Sequence, residues 1–444
     1  MSAYISRTPG SDGNRRTWTF SAWVKRGAMA DNECVFSQCS TSTYNSNTHF
    51  RMRFGTTHNL QISAYTSDWL FTNRLFRDPT AWYHIVLAVD TTNATADQRA
   101  RLYINGVEET SFSTRNNPAE DFDTGVNLSG SPMLIGADDS SAGAPSAFIL
   151  SNMSNINFVD GTQLTPSAFG ETDATDGMWK IKTSPSVTYG TNGFFLKGED
   201  SSNLDLDSGT NAFTFTTTGT LTATKDNPSN NFATWNPLVK SDGLDSPTFL
   251  NGNTYLQAAS NTPKNYAVSS VAMPRTGKYF SEHKIVTNND VIQFGIVSTD
   301  QATERFQSNT NFSASTEAMM YFCPEGKITY NNVNQVDGIT TAGNNDIVGL
   351  AIDMDNEKMY IYVNGALANS GGTSFTSKVT GNFVYMCTGD DTSSGNDSVY
   401  SNFGNGYFGT TAISSAGTNA SNNGSFEYDV PAGFGALCTK QINS

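Results

Sequence analysis

Cationic charge is scarce in this 444-residue chain: 26 Lys and Arg stand against 41 Asp and Glu, giving a formal net charge of −15 with only 15% of residues charged. Nucleic acid and anionic lipid both need a basic surface to neutralise phosphate, so neither is an expected partner. Cysteine is nearly as rare. The five, Cys34, Cys39, Cys323, Cys387 and Cys438, are odd in number and show no C-x-x-C spacing for zinc, which points to semi-buried thiols. Cys34 and Cys39 are the one pair within reach of a tight-loop disulfide. No 18 apolar residues run together, so no membrane-spanning helix is expected, and Met1 to Arg7 carries no apolar secretion segment. Any location outside a cell is then expected to be reached without the usual signal, a condition that release by lysis satisfies. Amphipathic helices of ten residues or more are absent as well, the nearest being the single turn Leu164 to Phe169.

What is present is a strand grammar. Ser, Thr, Asn and Gly abound, and 11% of residues are aromatic, the mixture of short strands between polar turns. Trp18, Phe20, Ala22 and Val24 alternate on one face, which predicts a half-buried strand. Trp82 to Val89 repeats the pattern with less polarity and is expected at the centre of a sheet. Leu102 to Val107 runs into Asn105-Gly106, the pair favoured in a two-residue hairpin because both positions take positive φ. Leu350 to Asp353 followed by Tyr362-Val363-Asn364-Gly365 echoes this arrangement in the second half.

The fold class read from these patterns is all-β: two antiparallel β-sandwich (jelly-roll) domains in tandem, over residues 1–240 and 241–444. Length alone favours two cores, since single cores stop growing near roughly 250–300 residues. The stretch 200–240, with Phe213, Phe215, Leu221 and Trp235, is read as the last strands of the first domain, with the boundary between Pro237 and Ser246.

The segments Trp18 to Val24, Trp82-Tyr83-His84-Ile85-Val86-Leu87-Ala88-Val89-Asp90 and Leu102 to Val107 resemble the concanavalin A-like lectin and laminin-G jelly roll. Gly277 to Ile285, Gly295-Ile296-Val297, Asp346 to Asp353, Tyr362 to Gly365 and Phe426 to Pro431 resemble a SPRY domain. The two in tandem, behind Ser6-Arg7-Thr8-Pro9 and Asn14 to Phe20, resemble structural proteins of marine tailed phages. That resemblance implies a virion surface protein, of fibre or adhesin type, binding a host surface glycan. The alternative it leaves open is a non-enzymatic capsid or tail decoration acting through contacts with other virion proteins. It also implies a homo-oligomer, by analogy a trimer, with no coiled-coil heptads to build it.

Enzymatic signatures are missing. The glucanases that share the jelly roll carry Glu-x-Asp-x-x-Glu, which does not occur; Glu120-Asp121-Phe122-Asp123 reads as a solvated loop. No Gly-x-Ser-x-Gly elbow occurs, and His84 and His283 sit within strand patterns as structural groups. Gly404 to Gly409 spells G-x-G-x-x-G without a βαβ context. A glycan needs an exposed ring and polar loop groups, for which Trp69, with Asp68 and Arg74, is the first choice and Trp179 the second; the competing reading of both rings is core. No cofactor is required by these patterns; calcium is the one candidate, at Asp138 and Asp139 or at Asp390, Asp391 and Asp397, in Gly/Ser-rich loops.

Overall fold

Strand alternation organises the whole chain. The computed structural model describes every residue except 1, 2, 28, 31, 41, 42, 140–143, 241–246, 259–264, 290, 301, 303–311, 391–395 and 444. Its described residues form antiparallel sheets grouped into two units, Met1–Ala223 and Thr224–Ser444.

In the first unit, an eight-stranded sheet runs in the order Phe112–Arg115, Ser67–Leu75, Asn59–Ala64, His49–Phe54, Glu33–Cys39, Met133–Ile135, Tyr4–Arg7, Thr216–Thr218. A six-stranded sheet runs Phe194–Leu196, Asn152–Asp160, Thr17–Lys25, Trp82–Asp90, Ala100–Ile104, Val107–Glu108. Trp82–Asp90 is central, as its apolar run predicts, and Ile104 pairs with Val107 across Asn105 (φ 50°) and Gly106 (φ 83°). Between the sheets Phe20 stacks on Phe36 at 4.6 Å, while Trp18 meets Phe50 edge-on at 5.2 Å.

One expectation changes here. Thr17–Lys25 is buried on both faces, because Ser21, Trp23 and Lys25 lie under cover rather than in water. Val86, Ala88 and Tyr103 on the same outer face pack with Phe169, Tyr189 and Phe195, from the stretch that follows Asp160.

The second unit repeats the plan. One sheet orders Trp235–Lys240, Asn265–Ser269, Phe383–Asp390, Ile292–Ser298, Ala318–Phe322, Lys327–Tyr330, Val333–Val336. The other orders Thr248–Leu250, Tyr255–Gln257, Ser398–Asn402, Lys278–Thr287, Ile347–Asp353, Lys358–Val363, Ala366–Leu367. The echo read from the sequence is a real pair of neighbours, Ile347–Asp353 on Lys358–Val363, closing on Asn364-Gly365 at positive φ.

The division between units falls at Ala223/Thr224, ahead of the 240/241 boundary read from Pro and Gly punctuation. Phe213, Phe215 and Leu221 do join the first core. Trp235 belongs to the second: it is fully buried there, and its indole N–H donates to Ser401 Oγ at 2.9 Å. Ala233 N–H also donates to Leu437 O and Thr439 N–H to Asn231 O, so the start of this unit is stitched to the end of the chain. Burial partners, not turn residues, set the boundary.

The C-terminal stretch of this unit is held by a buried carboxylate. Glu282 accepts the backbone N–H groups of Glu427 (2.7 Å) and Tyr428 (2.9 Å), while Phe426 packs edge-on against Phe280 at 5.0 Å. Among the described residues Glu282 forms no ion pair. Burial, assisted by the Glu427 carboxylate, pushes the Glu282 carboxyl up to about 7 from an ordinary 4.5, although both oxygens face N–H donors. A raised acid favours folding below its unfolded value and loses that contribution as pH climbs through the folded one. The expected outcome is a denaturation midpoint for the second unit that falls between pH 4.5 and 7.5, with the fall flattened in Glu282→Gln, as followed by urea titration across that range.

Candidate ligand-binding face

The strand His49–Phe54 reads His-Phe-Arg-Met-Arg-Phe, and its period of two separates two chemistries. Phe50, Met52 and Phe54 are fully buried in the first core, so Arg51 and Arg53 must project from the opposite face of the eight-stranded sheet. Register extends each into a row across the sheet. Ser37, Arg51, Ser63 and Asp68 align in one, and Arg53, Gln61 and Phe71 in the next.

Hydrogen bonds fix the first row. Arg51 donates from Nε to Ser63 Oγ at 2.9 Å and pairs through Nη1 with Asp138 at 3.4 Å. His49 Nδ1 accepts the Tyr65 backbone N–H at 3.2 Å, so the ring hydrogen sits on Nε2, which donates to Asp138 Oδ1 at 3.1 Å. Beside them Tyr44 and Tyr65 meet edge-on at 4.8 Å, and Tyr65 is 37% exposed. Burial first, then Asp138, pushes the Tyr44 hydroxyl up to about 12, so it remains a neutral donor. In the second row Arg53 donates from Nε to Gln61 Oε1 at 3.2 Å. The face thus offers an exposed ring, hydroxyls, an amide, guanidinium groups and the exposed Asp68 carboxylate on a rigid sheet. That is a set of groups suited to a polyhydroxylated ligand.

Of the residues singled out from sequence, Asp68 and Asp138 come together on this face. Trp69 does not: it is 1% exposed, packed on Phe50 and Phe122. A register shift between Ile62 and Ser63, which pair with Leu70 and Asp68, places Trp69 at a bulge and turns its ring into the core. Arg74 lies at the other end of its strand, bound through Nε to Glu109 at 2.7 Å. Trp179 is half-buried over the six-stranded sheet, where its indole N–H donates to His84 Nδ1 at 2.9 Å and its ring stacks on that histidine. Arg53, Gln61, Tyr44 and Tyr65 were missed, although the alternation of Arg with Phe and Met over 49–54 carried the signal.

Calcium wants six to eight oxygens, and the Asp138 carboxylate is already bound by His49 and a guanidinium. Asp139 is buried, with Oδ1 accepting the Ala144 N–H at 3.3 Å. This donor set does not fit the ion. Asp390 and Asp397 are buried too, Asp397 accepting the Asn289 N–H at 2.6 Å, while Asp391 lies outside the described residues. Among the described residues no three His, Cys, Asp or Glu side chains are grouped to hold a metal.

Two serine–histidine contacts invite a catalytic reading, and their hydrogen directions oppose it. Because indole only donates, Trp179 makes His84 Nδ1 an acceptor, leaving the ring hydrogen on Nε2 to be donated to Ser21 Oγ at 2.9 Å. A base in that state cannot take the serine proton. His283 lies between Ser281 and Ser401 at 2.9 Å each, and burial pulls both imidazoles down to about 3. Both are structural groups with satisfied bonds. All five cysteines are free and buried, so the Cys34–Cys39 pairing is not formed, and burial pushes the Cys34, Cys323 and Cys387 thiols well up. Glu120, Asp121 and Asp123 form exposed pairs with Arg99 and Arg16, the solvated loop expected of them.

The stretch that builds this face also carries a family signature. Residues 2–153 match the concanavalin A-like lectin/glucanases superfamily. The matched span holds every residue of the face described above. No curated protein matches the chain. Among solved structures it is similar to the SPRY domain of human HERC1 (18% identity over 38% of this chain and 96% of that one, TM-score 0.30). It is also similar to a human SPRY domain (13%, 33% and 90%, TM-score 0.26). A third is the heptameric SAP-like pentraxin of Limulus polyphemus (16%, 37% and 72%, TM-score 0.27). At such scores none of the three carries a functional argument.

Burial makes Trp69 a stability residue. Trp69→Ala is expected to cost about 3–5 kcal/mol in chemical denaturation of the first unit, the range for large aromatic deletions in cores.

Proposed function

We propose that the chain is a binding protein whose first unit takes a saccharide on the outer face of its eight-stranded sheet, at Tyr44, Arg53, Gln61, Tyr65 and Asp68. The observation that carries this reading is the juxtaposition, inside the lectin-family span, of an exposed tyrosine edge with a row of fixed polar groups. Sugars present C–H faces to rings and hydroxyls to such groups, and neither needs a metal.

The setting we propose is the surface of a phage virion, with a host surface glycan as the ligand. It rests on the tandem of lectin-like and SPRY-like segments behind the opening motif. Assembly in the host cytoplasm with other virion proteins, as a homo-oligomer and by analogy a trimer, followed by release on lysis, belongs to the same reading. A net charge of −15 disfavours nucleic acid as an alternative ligand.

A second reading is a capsid or tail decoration held by protein contacts. Exposed apolar side chains on either side of the Gly106–Trp179 packing favour it: Val107 is 68% and Met178 63% exposed.

Calorimetric titration of the purified chain with host envelope polysaccharide separates the two. Saturable binding, weakened about three- to tenfold by Tyr65→Ala, is the expected outcome, given what one aromatic contact contributes. A well-folded chain that ignores the polysaccharide but assembles stably with other virion proteins would favour the decoration.

A further inference from the structure

Among the described residues, seven of the first unit's eleven arginines pair with carboxylates, Arg115 with Asp97 among them, while Arg7 and Arg15 bond to backbone carbonyls and Arg77 is exposed. Arg16, Arg26, Arg74, Arg99 and Arg101 all pair with carboxylates, and Arg51 pairs with Asp138. Arg53 is different. Its Nε is spent on the neutral Gln61 amide, and among the described residues it makes no ion pair, although Asp68 lies one row away on the same face. It is half-buried, two residues from another cation projecting from the same strand. Burial, and after it the Arg51 charge, pulls the Arg53 guanidinium below its ordinary value, as expected of a cation that lacks its counter-ion. The unused Nη1 and Nη2 groups form the end of a planar fork, a shape that holds two oxygens of one anionic group.

Resting on the saccharide reading above, we propose that the ligand of this face is an acidic saccharide whose anionic group, a uronate carboxylate or a sulfate ester, pairs with Arg53. The tyrosine edge by His49 and the Arg53 fork stand at opposite ends of one strand, roughly 13 Å apart at the usual rise per residue. The ligand therefore spans more than one sugar, with a ring against Tyr65 and the acidic residue at Arg53. The surrounding carboxylates, Asp68, Asp138 and Asp139, set the selectivity: Asp138 is already spent on His49 and Arg51, so the attraction is local to the fork rather than a broad basic patch.

The test uses the full chain and four polymers: polygalacturonate, its carboxyl-reduced neutral counterpart, dextran sulfate and plain dextran. Polygalacturonate is expected to bind at least tenfold more tightly than the reduced polymer, with the preference shrinking as salt rises. Arg53→Gln is expected to erase that preference, so that polygalacturonate and the reduced polymer bind alike. Arg53→Lys, which keeps the charge and loses the fork, should restore only part of it. Preference for dextran sulfate over dextran, lost in Arg53→Gln, would support the same pairing with sulfate as the source of the anion. Thermal melts of both variants check that the sheet is intact. Equal binding of charged and neutral polymers, or a preference that survives Arg53→Gln, overturns the inference while leaving a neutral-saccharide face standing. Failure of every polymer to bind the folded chain overturns the saccharide reading with it.

Discussion

Phe50 sits between Trp18, Phe36 and Trp69, with ring centroids 5.2 to 5.9 Å away, and the candidate site depends on that packing. A strand has no rotational freedom once one of its faces is committed: slipping the pairing by one residue would drive Arg51 and Arg53 into the core and expose Phe50, Met52 and Phe54. Each of those apolar side chains contributes roughly 1.5–3 kcal/mol by leaving water. The direction of the arginines is therefore paid for entirely by the hydrophobic side of the same strand. The strand that carries Arg51 and Arg53 needs no ordering on binding, because its backbone is already hydrogen-bonded on both sides.

Several ionisable groups inside the sandwiches are bonded to neutral or oppositely charged neighbours. His84 and His283 are held neutral by burial and bonded at both ring nitrogens, one with a tryptophan donor directly and the other with a tryptophan acting through Ser401. Glu282 is satisfied by backbone N–H groups in place of a cation. Arg26 and Glu33, both fully buried, are bonded to each other. Arg53, half-buried with only its Nε bonded, keeps its Nη groups on the outer face, where a ligand can reach them.

Much of the fold was legible because apolar alternation and Asn-Gly turns are local signals: the Trp82 strand, the Asn105-Gly106 hairpin and its echo at Asn364-Gly365 all stand where their patterns predict. The unit boundary was not, since Trp235 owes its place to Ser401, a partner far along the chain. Trp69 misled for a related reason: a bulge at that position breaks the simple alternation that Asp68 and its neighbours suggest. The site was only half readable. Asp68 and Asp138 were picked out as acidic residues, yet their meeting with Arg51, Arg53 and the two tyrosines depends on the order of strands in the sheet. Composition and spacing do not encode that order.

Hydrogen–deuterium exchange of the chain, with and without a bound acidic oligosaccharide, tests the location of the binding face most directly. The account predicts added protection confined to the strands His49–Phe54, Asn59–Ala64 and Ser67–Leu75 and to the Tyr44 and Tyr65 turns, with the six-stranded sheet and the second unit unchanged. Protection centred instead on the Trp179 region or on the second unit, with none over 49–75, would contradict it.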